Sequence, residues 1–153
     1  MAIQTGDKCP VFSLPDQNGQ QVNISDLIGK KILVIYFYPK DETSGCIKEA
    51  CSFRDSYEDF KDLGCEVIGI STDSVSSHKK FEQNHRLNFT LLADTKKEAR
   101  KAFGVPPSLF GLISGRVTYI VDLQGTVRGV YNSLTNAEGH IREALKTVME
   151  IQS

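Results

Sequence analysis

Residues 31–46 have the sequence KILVIYFYPKDETSGC. The first half is a continuous apolar run that ends at Pro39, as expected of a strand buried on both faces of a sheet. The residues that follow Cys46 have a helical period, so this thiol lies at the start of a helix. Backbone N–H groups and the helix dipole favour an anion there, and the thiolate is the reactive form of cysteine. We therefore expect the chemistry of this chain at Cys46.

The composition is that of one soluble domain spanning residues 1–153, with 40% hydrophobic and 24% charged residues. The formal net charge is −1 and the two signs are interspersed, which argues against a nucleic-acid or anionic-membrane partner. The longest apolar run covers only residues 32–38, whereas a membrane-spanning helix needs about 20 residues. The first residues lack the features of a secretory signal, so we expect a cytoplasmic protein, or a plastid protein if the chain is a processed form.

Strands and helices alternate along the chain, which predicts an α/β class. The patterns predict a hairpin over residues 11–14 and 20–24, strands over 66–71, 90–92, 117–121 and 126–131, and helices over 46–63, 75–86, 96–103 and 137–149. Asp94 and Asn136 are the predicted caps of the last two helices, and residues 104–115 are a predicted loop. This order predicts a thioredoxin-like fold, with a central mixed sheet flanked by helices and an N-terminal hairpin extension. Its reactive site would lie at the carboxyl ends of the strands, where Cys46 is found.

Cys51 follows Cys46 by five residues. In an ideal helix the two Cα atoms would be about 8.7 Å apart and about 140° apart in azimuth. A disulfide needs Cα atoms at roughly 4.4–6.8 Å, so the first one or two turns must unwind if the two sulfurs bond. Cys51 also points away from the apolar stripe, which weakens its interpretation as a buried hydrophobe. The pair suggests chemistry in which one sulfur is oxidised and the other rescues it.

Other cysteine and histidine chemistries fit this sequence less well. Cys9 and Cys65 are interpreted as packed thiols, with a disulfide between them or a metal site as the open alternatives. A lone C-x₄-C spacing and scattered histidines predict neither a metal nor a cofactor. His78 and His85 share one helical face and are expected to have surface or packing roles. A cysteine phosphatase would need C-x₅-R and a dithiol oxidoreductase C-x-x-C, and neither motif occurs at these cysteines.

Four residues follow the spacing P-x₃-T-x₂-C-x₂-E, namely Pro39, Thr43, Cys46 and Glu49. On this motif the chain resembles the peroxiredoxins over nearly its whole length. Cys51 within KEACSFRD narrows the resemblance to the bacterioferritin-comigratory, or Q-type, subfamily. The subfamily resemblance extends to residues 69–71, 89–94 and 115–119. Residues 53–57 and 108–111 are most similar to the plant and cyanobacterial branch of that subfamily.

The resemblance implies a thiol peroxidase that acts on hydrogen peroxide and alkyl hydroperoxides. Cys46 would attack the peroxide and become a sulfenic acid, and Cys51 would resolve it as an intramolecular disulfide. Thioredoxin or a similar dithiol protein would reduce that disulfide. Thr43 would position the peroxide, Arg116 would favour the thiolate and stabilise charge on the peroxide oxygens, and Pro39 would shape the pocket. An internal resolving cysteine needs no partner subunit, so we expect a monomer.

Some points of the sequence depart from this interpretation or leave it open. Ser44 stands where the family commonly has proline, which predicts a looser turn, and Ile47 replaces a common threonine. Glu49 is interpreted as favouring the helix start electrostatically and is left out of the catalytic set. The alternative function is a redox sensor or thiol-dependent chaperone, in which helix unwinding exposes a surface for a partner.

Overall fold

The apolar run at residues 31–38 forms the central strand of a sheet in the computed structural model, which describes residues 2–106 and 115–153. This strand, β3, spans Ile32–Phe37, and all of its side chains are buried. The other strands are β1 (Ser13–Pro15), β2 (Gln21–Asn23), β4 (Cys65–Ser71), β5 (Thr90–Ala93), β6 (Val117–Val121) and β7 (Val127–Asn132). The helices are α1 (Ile24–Leu27), α2 (Ser44–Asp55), α3 (Tyr57–Asp62), α4 (Val75–His85), α5 (Glu98–Phe103) and α6 (Ala137–Gln152).

Five strands form a mixed sheet in the order β5-β4-β3-β6-β7, and β1 and β2 form a separate antiparallel hairpin. β3, β4 and β5 are parallel to one another, whereas β6 is antiparallel to both of its neighbours, β3 and β7. The predicted mixed sheet and hairpin extension are therefore confirmed. In the register of β3 with β6, Phe37 lies opposite Val117. The end of β3 and the start of β6 thus share one edge of the sheet, and the segments carrying Cys46 and Arg116 adjoin it.

The sheet separates two apolar clusters, because side chains alternate between its faces along each strand. Tyr36 packs on one face with residues of α2, α3, α4 and α6, and its ring stacks on Phe53 at a centroid distance of 4.6 Å. Phe37 packs on the other face, where its ring lies 5.1 Å from that of Phe103 in α5. Cys65 belongs to the first cluster and Cys9 to the second. All four cysteines are free, so the structure does not contain the alternative Cys9–Cys65 disulfide.

The helix predicted over residues 46–63 is divided into α2 and α3 by Ser56, whose φ of −99° and ψ of 4° are not helical. Serine is a weaker helix former than the alanine, leucine and lysine that usually fill helices, so a bend here is inexpensive. The bend keeps Phe53 and Phe60 in contact, with ring centroids 5.8 Å apart. α2 also begins two residues earlier than predicted, at Ser44.

The two predicted caps have different outcomes. Asn136 caps α6 as predicted, because its side chain accepts the Gly139 N–H at 3.0 Å. The prediction for Asp94 is wrong in position, because Lys97, with a φ of 60°, is the N-cap residue of α5. The Asp94 carboxylate nevertheless accepts the N–H groups of Ala99 and Arg100 at 3.1 and 2.9 Å.

Most of the predicted loop over residues 104–115 lies outside the described residues, as does the family-like segment at residues 108–111. In the described part of the chain, no helix has the length and apolar character needed to cross a membrane.

Candidate functional site

Cys46 is the third residue of α2, and only 1% of its surface is exposed. Thr43 precedes the helix in an extended conformation, and its side chain forms no capping bond to the first N–H groups. The Thr43 hydroxyl instead donates to the carbonyl of Lys40 at 2.8 Å. The positive end of the helix dipole therefore lies beside the Cys46 sulfur, as the sequence predicted.

Arg116 supplies a full positive charge at the same place. It directly precedes β6, is 3% exposed, and its Nη2 donates to Cys46 Sγ at 3.5 Å. Its Nε donates to the carbonyl of Leu134 at 3.0 Å, and its Nη1 donates to Glu49 Oε1 at 2.6 Å. Because three edges of the guanidinium are engaged, the cation is held against the sulfur in one orientation.

The neighbouring carboxylate and thiolate stabilise the positive charge of Arg116. Burial alone would lower the pKa of the guanidinium, but the charges of Glu49 and Cys46 raise that pKa above its ordinary value. Gly45 leaves the necessary space, since a Cβ at this residue would lie 2.9 Å from Arg116 Nη2. The sequence therefore needs a glycine beside the cysteine for the cation to approach it.

Glu49 and His140 form a second layer behind Arg116, and both side chains are fully buried. Burial raises the pKa of Glu49 to about 8, against the opposing effect of Arg116. Burial also lowers the pKa of His140 to about 4. His140 Nε2 lies 2.7 Å from the Ser133 carbonyl, and Nδ1 lies 2.7 Å from the Thr118 hydroxyl. At neutral pH the ring is therefore neutral, with Nε2–H donating to Ser133 and the Thr118 hydroxyl donating to Nδ1.

The turn before α2 is stabilised by hydrogen bonds to Asp41, whose side chain is buried. Its carboxylate accepts hydrogen bonds from the hydroxyls of Tyr38 at 2.6 Å and Ser77 at 2.8 Å. It also accepts a bond from His78 Nδ1 at 2.7 Å, while His78 Nε2 lies 2.9 Å from the carbonyl of Leu92. Both ring nitrogens face acceptors, so both carry hydrogen and His78 is an imidazolium paired with Asp41.

A second carboxylate of this turn, Glu42, also reaches α4. It accepts bonds of 2.6 Å from His85 Nε2 and from the Asn84 amide, and these hydrogen bonds lower its pKa. His78 and His85 do share one face of a helix, as predicted, but that face binds the turn that leads to Cys46. The histidines were expected to have only surface or packing roles, and this link to the candidate site was missed.

One group of residues has metal-ligating atoms close together. Ligand atoms of Asp41, Asp73 and His78 all lie within 4.8 Å of one another. These atoms are already engaged, since Asp73 Oδ2 accepts the Asp41 N–H at 2.8 Å and the Ser71 hydroxyl at 2.6 Å. The group is a hydrogen-bond network that closes the turn onto β4 and α4, and its donors are sufficient without a cation.

The remaining cysteines differ in what they can do. Cys51 is half-buried in α2, so it lies in the same helix as Cys46. Burial raises the pKa of Cys9 and of Cys65 to about 12. Those two thiols stay protonated at physiological pH and are poor nucleophiles, as expected of packed cysteines.

The structure brings Cys46 and Arg116 into contact and places Thr43 and half-buried Pro39 in the flanking turn. Glu49 and His140 were missed, although the sequence carries a signal for both. Glu49 follows Cys46 by three residues on the buried stripe of α2, and His140 lies on the buried face of α6. A polar residue at such a position needs a buried partner.

Comparisons with known proteins show what this chain is similar to. Residues 5–130 match the model of the AhpC/TSA family. The chain is 51% identical over 149 residues to the chloroplastic peroxiredoxin Q of Suaeda salsa, covering 97% of this chain and 69% of the relative. Its structure resembles the peroxidoxin BcpB of Mycobacterium tuberculosis, with a TM-score of 0.90, 36% identity and 99% of each chain covered. It also resembles the bacterioferritin comigratory protein of Xanthomonas campestris, with a TM-score of 0.78, 29% identity, and 88% of this chain and 90% of that chain covered. These matches confirm the predicted resemblance and the thioredoxin-like fold.

Proposed function

This chain belongs to the AhpC/TSA family and is a thiol-dependent peroxidase, and we propose that Cys46 is the sulfur that attacks the peroxide. The observation that supports this choice is the 3.5 Å contact of Arg116 Nη2 with Cys46 Sγ at the start of α2. Family membership favours the peroxidase over the redox sensor or chaperone. The thiolate sulfur attacks the terminal peroxide oxygen and the O–O bond breaks. Sulfur is oxidised to sulfenic acid, and the other oxygen leaves as hydroxide or alkoxide and takes a proton.

The substrates we propose are hydrogen peroxide and alkyl hydroperoxides. The bacterioferritin comigratory protein of Xanthomonas campestris has alkyl peroxide reduction activity and resembles this chain. Arg116 would stabilise the negative charge that develops on the peroxide oxygens as the O–O bond breaks. The Thr43 hydroxyl, which donates to the Lys40 carbonyl, keeps acceptor capacity for a peroxide hydrogen, and Pro39 would limit access of water from the strand side.

Cys51 is the proposed resolving cysteine. Its thiolate attacks the Cys46 sulfur, a disulfide forms, and the sulfenic oxygen leaves as water after protonation. Both residues lie in α2, where Cα atoms five residues apart are about 8.7 Å apart. That separation exceeds the disulfide range, so the first turns of α2 must unwind for the bond to form.

We further propose that thioredoxin or a similar dithiol protein is the reductant. Residues 1–153 are proposed to form one domain that acts as a monomer. Size-exclusion chromatography with light scattering in both redox states tests this oligomeric state.

Four free thiols suit a reducing compartment, so the proposed location is the cytoplasm. The plastid is the alternative that the chloroplastic relative favours, and imaging of a tagged protein in its own cells separates the two.

The test measures NADPH consumption with thioredoxin, thioredoxin reductase and either hydroperoxide. Cys46→Ser should abolish turnover. Cys51→Ser should consume about one equivalent of peroxide and then stop, because its sulfenic acid is not resolved. Cys9→Ala is the matched control and should keep wild-type turnover, since this thiol lies on the opposite face of the sheet. Full activity of Cys46→Ser would contradict the proposal, and a disulfide other than Cys46–Cys51 in the oxidised protein would contradict the resolving role.

A further inference from the structure

One oxygen of Glu49 has no hydrogen-bond partner among the described residues. Glu49 Oε1 accepts the Arg116 Nη1 hydrogen bond, whereas Oε2 is buried and unpaired. The nearest ring nitrogen is His140 Nδ1, at 3.5 Å. A buried carboxylate oxygen without a donor is costly, so this contact requires an explanation.

The hydrogen bonds of His140 show where a proton fits. Nε2 lies against a carbonyl, so it must carry hydrogen and donate to Ser133. Nδ1 of the neutral ring is then an acceptor, as is an ionised Glu49 Oε2. Two facing lone pairs at 3.5 Å repel each other, and one proton between them converts the contact into an attraction. Because the His140 ring is neutral at neutral pH, that proton resides on Glu49 as a carboxylic acid, which donates to Nδ1 beside the Thr118 hydroxyl.

The charges around Arg116 give a second, independent reason for this proton. The described residues in contact with the guanidinium include two potential anions, Glu49 and Cys46. One buried cation compensates one buried anion, and a second anion would stand uncompensated. With a proton on the Glu49 side, the positive charge of Arg116 is available to the sulfur.

We propose that Glu49 and His140 share one buried proton, which keeps the pair neutral and so directs the charge of Arg116 to Cys46. Both are positioning residues, because they act on the sulfur only through Arg116. The inference rests on the proposed role of Cys46 as the attacking sulfur, although the shared proton itself can be tested without peroxide.

Each structural element around the pair contributes a titratable or charged group. These groups are Cys46 from α2, Tyr36 from β3, Arg116 before β6 and Tyr131 from β7. Desolvation raises the pKa of Tyr36 well above its ordinary value, so that hydroxyl stays neutral. The Tyr131 ring meets the His140 ring edge to face at 4.7 Å. The described surroundings therefore offer no other cation than Arg116 to balance a charged Glu49.

The proposal predicts two ionisation steps in the reactivity of Cys46. One is ionisation of the thiol itself. The other, called the second step below, is loss of the shared proton, expected near pH 8 because burial raises the pKa of Glu49 to about 8. The second step adds a negative charge near the sulfur and makes the thiolate more basic. Reactivity towards a neutral alkylating reagent rises about threefold for each tenfold gain in thiolate basicity, so a second rise of that order is expected.

The experiment measures alkylation of Cys46 by iodoacetamide as a function of pH in the reduced full-length protein. Glu49→Gln reproduces the protonated carboxyl, since its oxygen can accept from Arg116 and its amide can donate to His140. This variant should keep the first step and lose the second. His140→Phe keeps a planar ring but removes the acceptor, so the second step should move to lower pH. Arg142→Gln, an exposed substitution on α6, is the control and should leave both steps in place.

Infrared difference spectra give a readout that involves neither peroxide nor alkylation. A protonated carboxyl band should be present at neutral pH in the wild type, absent in Glu49→Gln and shifted in His140→Phe. The proposal would be overturned if Glu49→Gln retained the second step. It would also be overturned if the wild type lacked the carboxyl band and Glu49→Gln were alkylated slowly at neutral pH. If His140→Phe does not fold, the isosteric Glu49→Gln still decides. If both steps in the alkylation of Cys46 are observed but the protein does not reduce peroxide, the proposed function is contradicted and the shared proton is not.

Discussion

Two buried carboxylate–histidine pairs have carboxylates that precede and follow Cys46 in the sequence, Asp41 and Glu49, and the pairs differ in how they hold charge. In the Asp41–His78 pair the carboxylate accepts three hydrogen bonds, and the histidine donates from both nitrogens. In the Glu49–His140 pair the nearest approach is 3.5 Å, and one carboxylate oxygen is unpaired. The first pair is therefore a closed ion pair that fixes a turn. The second is an incomplete pair whose protonation state can respond to its neighbour Arg116.

The largest expected effect comes from opening the closed pair. Asp41→Asn removes the anion that balances the His78 imidazolium, and the loss of one partner of a buried pair costs about 3 kcal/mol or more of unfolding free energy. Urea denaturation at neutral pH measures this change. Asp62→Asn, at an exposed acidic residue of α3, is the control and should stay within about 0.5 kcal/mol of the wild type. An equally small change in Asp41→Asn would show that the turn does not depend on this ion pair.

The next effect separates reactivity from stability on the Arg116 side. Gly45→Ala would place a Cβ 2.9 Å from Arg116 Nη2, so the guanidinium must move away from the sulfur against the hydrogen bonds that hold it. We expect the rate of sulfenic acid formation to fall about tenfold, which corresponds to roughly 1.4 kcal/mol. Stopped-flow measurement of peroxide consumption reports this rate. Unfolding free energy should change little, because the preference for alanine over glycine in a helix offsets part of the cost of moving the guanidinium. Unchanged peroxide kinetics would mean that the Arg116–sulfur contact is not limiting.

The third effect depends on pH and distinguishes the two pairs directly. Glu49 ordinarily titrates at 4.5, and burial raises its folded pKa to about 8. Between these values the folded protein binds more protons at Glu49 than the unfolded chain does, so the contribution of Glu49 to wild-type stability falls as pH rises from about 4.5 to about 8. Glu49→Gln lacks this term, so its stability relative to the wild type should increase over that range and level off above it. Denaturation curves at several pH values check this trend, and a constant difference would contradict the raised pKa.

His140 contributes a term of opposite sign. Its pKa is lowered from 6.5 to about 4, so the unfolded chain takes up a proton first as pH falls. The contribution of His140 to wild-type stability should therefore decrease as pH falls from 6.5 towards 4, and His140→Phe should lose this term. The same denaturation series compares the two slopes. If His140→Phe loses stability with falling pH as steeply as the wild type does, then groups other than His140 cause that loss.

The smallest effect concerns the outer pair of the turn, Glu42–His85. Its carboxylate side chain is 42% exposed, so Glu42→Gln should cost only about 0.5 kcal/mol, and less at high salt. Hydrogen bonds from His85 and Asn84 lower the pKa of Glu42, so its contribution is lost as pH falls through that lowered value. Urea denaturation at two ionic strengths measures both dependences. A cost as large as that of Asp41→Asn would mean that exposure does not separate the inner and outer pairs.

The sheet, the hairpin and the position of Cys46 could be predicted because they depend on local patterns. The run at residues 32–38 and the period of α6 are strong signals that tertiary contacts do not override. The bend at Ser56 could not be predicted, because the apolar period continues across it from Phe53 to Tyr57 and Phe60. Asp94 is predicted to cap a helix over residues 96–103, but the left-handed conformation of Lys97 delays the start of α5 to Glu98.

The candidate site was predicted in part, because a motif specifies neighbours in sequence and only a fold specifies neighbours in space. Cys46 and Arg116 are 70 residues apart, and the resemblance alone predicted their contact. Glu49 was assigned to the helix dipole because no residue near it in sequence called for a buried carboxylate. His140 and His78 could not be matched with their partners, since the pairing depends on the register of the sheet and on the packing of α4 and α6 against it.

The break at Ser56 has a consequence for time. α2 ends at Asp55, and the stacked rings of Tyr36 and Phe53 hold that end, so unwinding from Ser44 need not extend into α3. Opening a segment that is packed in a folded protein takes about microseconds to seconds, which is slower than the roughly 0.1–1 μs helix–coil relaxation of a free peptide. The break at Ser56 limits the opening that the proposed Cys46–Cys51 bond requires to α2. It thereby limits the time that this opening would add to each turnover.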